Sequence, residues 1–312
     1  MTKPRTRERL IRWGPPLIVA VVAFIAGRNA MLPGLGFWDT AELQAVAPLM
    51  GTAHPTGFPT YVLFGWFANL VLTPFGEPAF RMNLFAALCV AVAAAVTVDL
   101  VRTLTRSIAL GMLAGIGLAL TDIVWSIGTQ AEAHALHLAL VVILFRLLIA
   151  WEERLSAWRE TGSGQPDRVL VAAAVVFGLA MGNHSLTLLL APAVALFLLA
   201  VDPGLVRRPR LIAGCGIALA VTVTAVFLEL PLRAGPFRAP LVYGHPETWD
   251  GFWYVALAEQ FRGSVVGPFA DLGPKTVELV DRAIRAFGPL AALIPIAFVA
   301  TAFRRPNYAV LS

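Results

Sequence analysis

Long apolar runs separated by short polar or proline-rich stretches dominate the pattern along the chain. Runs of roughly 20 apolar residues are long enough to cross the hydrocarbon core of a bilayer. The pattern predicts membrane spans at 15–33, 82–101, 107–127, 131–150, 169–182, 185–201, 211–231 and 284–303. The fold class predicted is therefore an all-α polytopic membrane protein with about eight transmembrane helices.

The segment 58–74, FPTYVLFGWFANLVLTP, is the ambiguous one, because it is short for a span and contains Asn69. The positive-inside rule indicates whether this segment crosses the membrane. If the segment enters and leaves the membrane on the far side, most of the basic residues fall in short cytoplasmic loops; if it crosses, those clusters lie outside. We therefore predict a juxtamembrane or re-entrant helix in the first external loop.

This topology predicts one transmembrane domain over residues 1–312. It has a basic cytoplasmic N-terminus at 1–14, a first external loop at 34–81 and a later external loop at 232–283. The chain stops soon after the last predicted span, so a short protein and a fragment lacking a C-terminal region are both considered.

Composition supports the membrane assignment and excludes other classes. Apolar residues make up 58% of the chain and charged residues 14%, with a mean hydropathy of +0.75. The net charge of +5 comes from short patches between apolar runs, which argues against a nucleic-acid partner. Cys89 and Cys215 both lie inside apolar runs and are expected to be packing residues.

Two carboxylates stand out in the first external loop. Asp39 and Glu42 are three residues apart, so both project from the same face of a helix. They suit a general base and a partner that binds or orients the substrate, but the spacing also fits a helix capping box. Their predicted position on the external face favours the catalytic interpretation.

Three further candidates have both a structural and a functional interpretation. His54 begins the rigid turn HPTGFP, where it either forms a hinge or faces a substrate phosphate at the following helix. Glu132 opens a span beside His134, and acids near membrane depth usually line a polar cavity. His184 lies between two short helices, where it caps the hairpin or contacts substrate.

External arginines run against the positive-inside bias. Arg81 opens the second span and Arg233 lies in LELPLRAG, with Arg238 and Arg262 beyond it. Each either snorkels to the interface or provides a cation that orients Asp39 or meets a phosphate. Four of the five histidines share this predicted face with the acids, which indicates a single external site.

Taken together, these motifs resemble the GT-C superfamily of glycosyltransferases, and most closely a family of predicted protein O-mannosyltransferase-like membrane proteins. The resemblance rests on five pieces in conserved order over about 35–262: WDTAELQAVAPLMGTAHPTGFPTY, RMN at 81–83, EAHAL at 132–136, GNHS at 182–185 and LPLRAGPFRAPLVYGHPETWDGFWYVALAEQFR. The chain departs from the family pattern at Ala41, Thr56 and His134, where the family usually has glycine, proline and tyrosine.

The resemblance implies a GT-C-like bundle at the bacterial inner membrane, with its site outside the cytoplasm. It implies inverting transfer of a sugar, such as mannose, from a polyprenyl-phosphate donor to an acceptor hydroxyl on a protein Ser/Thr, glycan or lipid. Asp39 would be the general base and Glu42 would bind or orient substrate. Arg81 and Arg233 would neutralise the leaving phosphate. No cofactor is required, and a divalent metal is not demanded.

A transporter or flippase of a lipid-linked or anionic substrate is the alternative from another class. It would use the same acids and arginines as binding or proton-relay groups. Transporters often contain internal repeats with broken helices near the membrane midplane. The sequence has no convincing repeat and its polar motifs lie at one predicted face, which favours the enzyme.

Overall fold

The computed structural model describes residues 4–264 and 270–311, which form helices joined by short turns. The helices are α1 (Pro4–Ala30), α2 (Asp39–Leu49), α3 (Pro59–Val71), α4 (Pro78–Thr105), α5 (Ile108–Leu120), α6 (Asp122–Gly128), α7 (Ala133–Thr161), α8 (Pro166–Asn183), α9 (Ala191–Val201), α10 (Pro209–Phe227), α11 (Glu229–Ala234), α12 (Trp249–Ala256), α13 (Leu272–Phe287), α14 (Leu293–Arg304) and α15 (Pro306–Ala309).

Long apolar helices confirm the predicted class, an all-α polytopic membrane protein. Within the described residues, 6 helical stretches are long and apolar enough to cross a membrane, or up to 7 if α5 and α6 form one bent span. The 6 stretches are Ile11–Ala30, Pro78–Thr105, Ala133–Thr161, Pro166–Asn183, Pro209–Ala234 and Leu272–Arg304.

The observed helices differ from the predicted spans in three places. The run 107–127 breaks at Thr121, where extended backbone separates α5 from α6 at an angle of 66°. The run 185–201 begins with a 3-10 turn before α9, so it is shorter than a full span. The last helical stretch starts at Leu272 rather than 284, and it therefore takes in residues 272–283 of the predicted external loop.

Helix α3 covers most of the ambiguous segment 58–74. It has 13 residues and is therefore roughly 20 Å long, against about 30 Å for the hydrocarbon core. Its length agrees with the predicted juxtamembrane or re-entrant helix. The side of the membrane on which it lies stays a prediction.

Helix α4 is central to the bundle and packs against α1, α5 and α7. The contact with α5 is close because two glycines face it. A Cβ on Gly111 would lie 2.7 Å from the carbonyl oxygen of Val98, and one on Gly115 would lie 2.7 Å from that of Ala94. Small residues at four-residue spacing let membrane helices approach in this way.

Candidate active site

The two acids of the first loop lie in the first turn of α2, which begins at Asp39. The residue before the helix is Trp38, and it makes no side-chain cap bond. Glu42 instead bonds to His54: its Oε1 accepts the backbone N–H at 2.8 Å, and its Oε2 lies 2.5 Å from Nδ1. The capping-box alternative is therefore not what the structure contains, since Glu42 holds the turn after α2.

Asp39 is exposed, and its carboxylate has no hydrogen bond or ion pair with any residue that the structure describes. It nevertheless lies close to the other two groups. One ligand atom each from Asp39, Glu42 and His54 falls within 4.8 Å of the others. Imidazole and carboxylate are a donor set that divalent metals accept, but Nδ1 of His54 is already bonded to Glu42. That no metal is required stays a prediction.

The protonated form of His54 is stabilised by its surroundings. The hydrogen bond to Glu42 raises the pKa of His54. Burial of the ring acts in the opposite direction, while the negative charges of Glu42, Asp39 and Glu132 add to the rise. His54 therefore keeps its proton to higher pH than a free histidine, and its protonated form is the cationic partner of Glu42.

Four histidines meet near this acid pair, and the set includes His137 rather than His245, which lies outside it. The ring of Phe58 lies 5.1 Å from His54 and 5.7 Å from His184, measured between centroids. The His184 ring lies 5.1 Å from His134 and 5.8 Å from His137. The turn after α2, the end of α8 and the start of α7 therefore meet at one histidine cluster.

Glu132 joins the cluster from the residue before α7, where it acts as N-cap. Its Oε1 lies 2.8 Å from Nδ1 of His134 and accepts the backbone N–H of the same residue at 3.4 Å. Burial on its own would raise the pKa of Glu132, but the bonds to His134 outweigh it and lower the pKa. His134, from the same motif EAHAL, thus contacts Glu132 directly and belongs to the candidate site.

His184 is neutral at physiological pH. Its Nδ1 accepts the backbone N–H of Leu186 at 3.2 Å, so the ring proton is assigned to Nε2. Burial, followed by the neighbouring His134 charge, lowers the pKa of His184 to about 4. His184 therefore caps the 3-10 turn, as the structural interpretation has it, and its Nε2–H remains available as a donor. Contact with substrate stays a prediction.

The structure places both candidate arginines on backbone carbonyls rather than on the acids. Arg81 donates through Nε to the carbonyl of Gly76 at 2.6 Å and through Nη1 to the side chain of Asn69 at 3.1 Å. Arg233 donates through Nε to the carbonyl of Met50 at 2.7 Å. Arg81 thus stabilises the turn between α3 and α4, and Arg233 binds the C-terminus of α2.

A buried pair of amides, largely missed by the sequence interpretation, holds the acids in place. Nε2 of Gln44 donates to Oδ1 of Asn83 at 2.8 Å, and the same oxygen accepts the N–H of Ala131 at 2.8 Å. The Asn83 amide also donates to the carbonyl of Leu32 at 2.8 Å. The pair connects α2 and α4 to the segment leading into Glu132. The sequence signals were Asn83 at the start of a predicted span, within the RMN piece, and Gln44 in the first loop.

The later loop contacts the first loop through a two-residue bridge. The N–H of Thr52 donates to the carbonyl of Leu241 at 3.1 Å, and the N–H of Tyr243 donates to the carbonyl of Thr52 at 3.1 Å. The bridge precedes His54 by two residues. Segments far apart in the chain therefore define one wall of the site together.

Comparison with known proteins places most of these residues inside one family. The model of the family "Protein O-mannosyl-transferase TMEM260 N-terminal domain" matches residues 39–203, more than half of the chain. That range contains every candidate site residue except Arg233.

A Mus musculus protein named "Protein O-mannosyl-transferase TMEM260" is 28% identical over 248 residues, which cover 75% of this chain and 33% of that protein. The chain thus spans about a third of the length of this curated relative. No solved structure matches the chain.

Proposed function

The chain belongs to the protein O-mannosyl-transferase TMEM260 N-terminal domain family, and from this membership and the site geometry we propose that it is a membrane mannosyltransferase. The donor is a polyprenyl-phosphate sugar. The acceptor is a hydroxyl on protein Ser/Thr, on a glycan or on a lipid. Transfer is of the inverting GT-C type and takes place on the extracytoplasmic face.

One observation carries this proposal: the two acids of α2 have different partners. Glu42 is bonded twice to His54, whereas Asp39 is exposed and its carboxylate makes no hydrogen bond within the described residues. A general base needs a free lone pair within reach of the proton that it removes. Asp39 meets that requirement, and Glu42 is the positioning group.

The proposed step uses one base and one leaving group. Asp39 takes the proton of the acceptor hydroxyl as its oxygen forms a bond to the anomeric carbon. The bond from that carbon to the phosphate oxygen breaks, and the lipid phosphate leaves with the electron pair. Charge that develops on this phosphate must be stabilised by cations or N–H donors.

Histidines support the donor side of this mechanism better than the arginines do. Arg81 and Arg233 each donate their Nε–H to a backbone carbonyl, that of Gly76 and that of Met50, respectively. The hydrogen bond to Glu42 favours the protonated, positively charged form of His54. His184 offers an Nε2–H donor. We therefore assign phosphate stabilisation to the histidine cluster and give the arginines positioning roles.

The test is transfer from polyprenyl-phosphate mannose by the protein in isolated membranes. Asp39→Asn should abolish transfer while the protein still inserts and accumulates. Asp250→Asn, which removes a similarly exposed carboxylate at the start of α12, is the matched control and should retain wild-type rate. Undiminished transfer by Asp39→Asn would overturn the base assignment. Sugar movement across liposomes without any transfer would favour the transporter.

A further inference from the structure

A second group of polar side chains, two of them close in sequence to His54 and His184, is not used by the proposed reaction. Five of its oxygen atoms have no hydrogen-bond partner among the described residues: Oγ1 of Thr56, Oγ1 of Thr60, Oδ1 of Asn183 and both carboxylate oxygens of Glu229. The four residues are only 5%, 0%, 0% and 4% exposed, respectively. An unsatisfied buried polar group costs about 1–3 kcal/mol, and a charged one costs more. These oxygen atoms are therefore free to accept a ligand.

Close contacts bring the elements that carry these oxygens to one junction. A Cβ on Gly182, the neighbour of Asn183, would lie 2.6 Å from Oγ1 of Thr60 and would also contact Val226. Val226 precedes Glu229 by three residues, so both lie on the same helical face. Helix α3, the end of α8 and the α10–α11 connection therefore meet here.

Two neighbours define the direction of these groups further. The residue after Glu229, Leu230, packs against Gly57, where a Cβ would lie 2.9 Å from its Cδ2. Nδ2 of Asn183 donates to the carbonyl of Ala133 at 2.9 Å. That bond assigns the orientation of the amide, so Oδ1 is the atom left free for the junction.

The chemistry of the set is that of a hard cation site. Hydroxyl, amide carbonyl and carboxylate oxygens are the ligands that hard cations take, and Glu229 is the single acid among them. Arg233, one turn later, donates to the carbonyls of Met50 and Leu49 instead. We propose that this junction binds one monovalent alkali cation, Na⁺ or K⁺, with Glu229 as its charged ligand.

Such a cation would stabilise the neighbouring active site. Thr56 is two residues from His54, Asn183 adjoins His184, and Ala133, to which Asn183 bonds, adjoins Glu132. Cation binding would fix three of the backbone segments that carry the histidine cluster. The inference is independent of sugar transfer, because it predicts ion binding whatever reaction the site performs.

The test measures thermal unfolding of the purified full-length protein in detergent at constant ionic strength. Choline chloride is replaced stepwise by NaCl or by KCl. A ligand that binds only the folded state raises the melting temperature in a saturable way. We expect such a rise with at least one of the two cations, and bound ²²Na⁺ or ⁸⁶Rb⁺ at about one ion per chain.

Glu229→Gln should abolish the saturable response, and Thr60→Val should weaken it at least tenfold in apparent affinity. Glu77→Gln, an exposed acid before α4, should leave it unchanged, and so should Asp39→Asn. If Glu229→Gln does not fold, two measurements still test the proposal: the number of ions bound per wild-type chain, and the melting temperature of Thr60→Val as the cation concentration is raised. The proposal is overturned by the absence of a saturable response, by a response confined to Mg²⁺ or Ca²⁺, or by one that survives in a folded Glu229→Gln variant.

Discussion

Glu42 binds His54 twice, with one carboxylate oxygen on the backbone N–H at 2.8 Å and the other 2.5 Å from Nδ1. The two residues are 12 positions apart, so the contact closes the loop between α2 and the turn before α3. It also leaves Asp39 as the unengaged acid of the first turn. The proposed roles of the two acids, Asp39 as base and Glu42 as positioning group, follow from this one contact.

The Glu42–His54 pair should make stability depend on pH. Because the hydrogen bond raises the pKa of His54, the stabilisation is fully present below the ordinary value of about 6.5. It is lost as pH rises through the higher folded-state pKa. The melting temperature of the wild type should therefore fall by a few degrees between about pH 6 and about pH 9.

Thermal unfolding of His54→Gln and Glu42→Gln checks this prediction. Both variants should show a flatter profile over the same pH range. His245→Gln should keep the wild-type profile, because that side chain is 76% exposed and lies outside the cluster. A wild-type slope in both His54→Gln and Glu42→Gln would show that another group controls the pH dependence.

Removing the buried amide of Asn83 should destabilise the first loop. Asn83→Ala deprives Gln44, the N–H of Ala131 and the carbonyl of Leu32 of their partner. Each unpaired buried group costs about 1–3 kcal/mol, so the free energy of unfolding should fall by at least that amount. Transfer should fall with it, because Asp39 and Glu132 lose their common support.

The matched control is Gln165→Ala, an exposed amide in the connection before α8. Unfolding in denaturant should differ from the wild type by less than about 0.5 kcal/mol for this variant. A Gln44→Ala, Asn83→Ala double-mutant cycle should show coupling of about 0.5–3 kcal/mol. Additive effects would contradict a shared network.

Arg233 should act on α2 rather than on the donor phosphate. Arg233→Ala removes the bonds to the carbonyls of Met50 and Leu49 and should lower stability by about 1–3 kcal/mol. Arg233→Lys keeps the charge near the helix C-terminus and should recover part of that loss. Unfolding measurements and donor titrations on both variants distinguish a role in stabilising α2 from a role in binding the donor phosphate.

A positioning role predicts that stability and kcat change together, with Lys intermediate between Arg and Ala. Arg154→Ala is the control and should behave as the wild type, because that side chain is exposed and makes no hydrogen bond or ion pair with the described residues. If both Arg233 variants have wild-type stability but a strongly raised KM for the donor, the original phosphate assignment would be correct instead.

Hydropathy alone was sufficient for the class and for most spans, because about 20 consecutive apolar residues have few stable alternatives to a membrane helix. The break at Thr121 and the 3-10 turn at 185–190 were not predictable from it. They depend on local backbone geometry inside runs that are uniformly apolar.

The sequence singled out most of the residues that meet at the candidate site, but only some of the contacts between them; their roles stay predictions. Shared membrane side indicated that Asp39, Glu42 and the histidines belong together. The Glu42–His54 bond could not be predicted, since the turn between them sets its geometry. Arg81 and Arg233 were expected near the acids because their charge is complementary. Their guanidinium groups instead bind carbonyls at the turn before α4 and the end of α2, which only the packed structure identifies.

The bridge between Thr52 and Tyr243 also has a consequence for biogenesis. Its partners are 191 positions apart, and elongation proceeds at about 5–20 residues per second. The first loop must therefore wait on the order of 10 to 40 s after its own synthesis before its wall is complete. During that interval several later helices have to insert. The two acids of α2 are thus synthesised well before the wall beside them is complete.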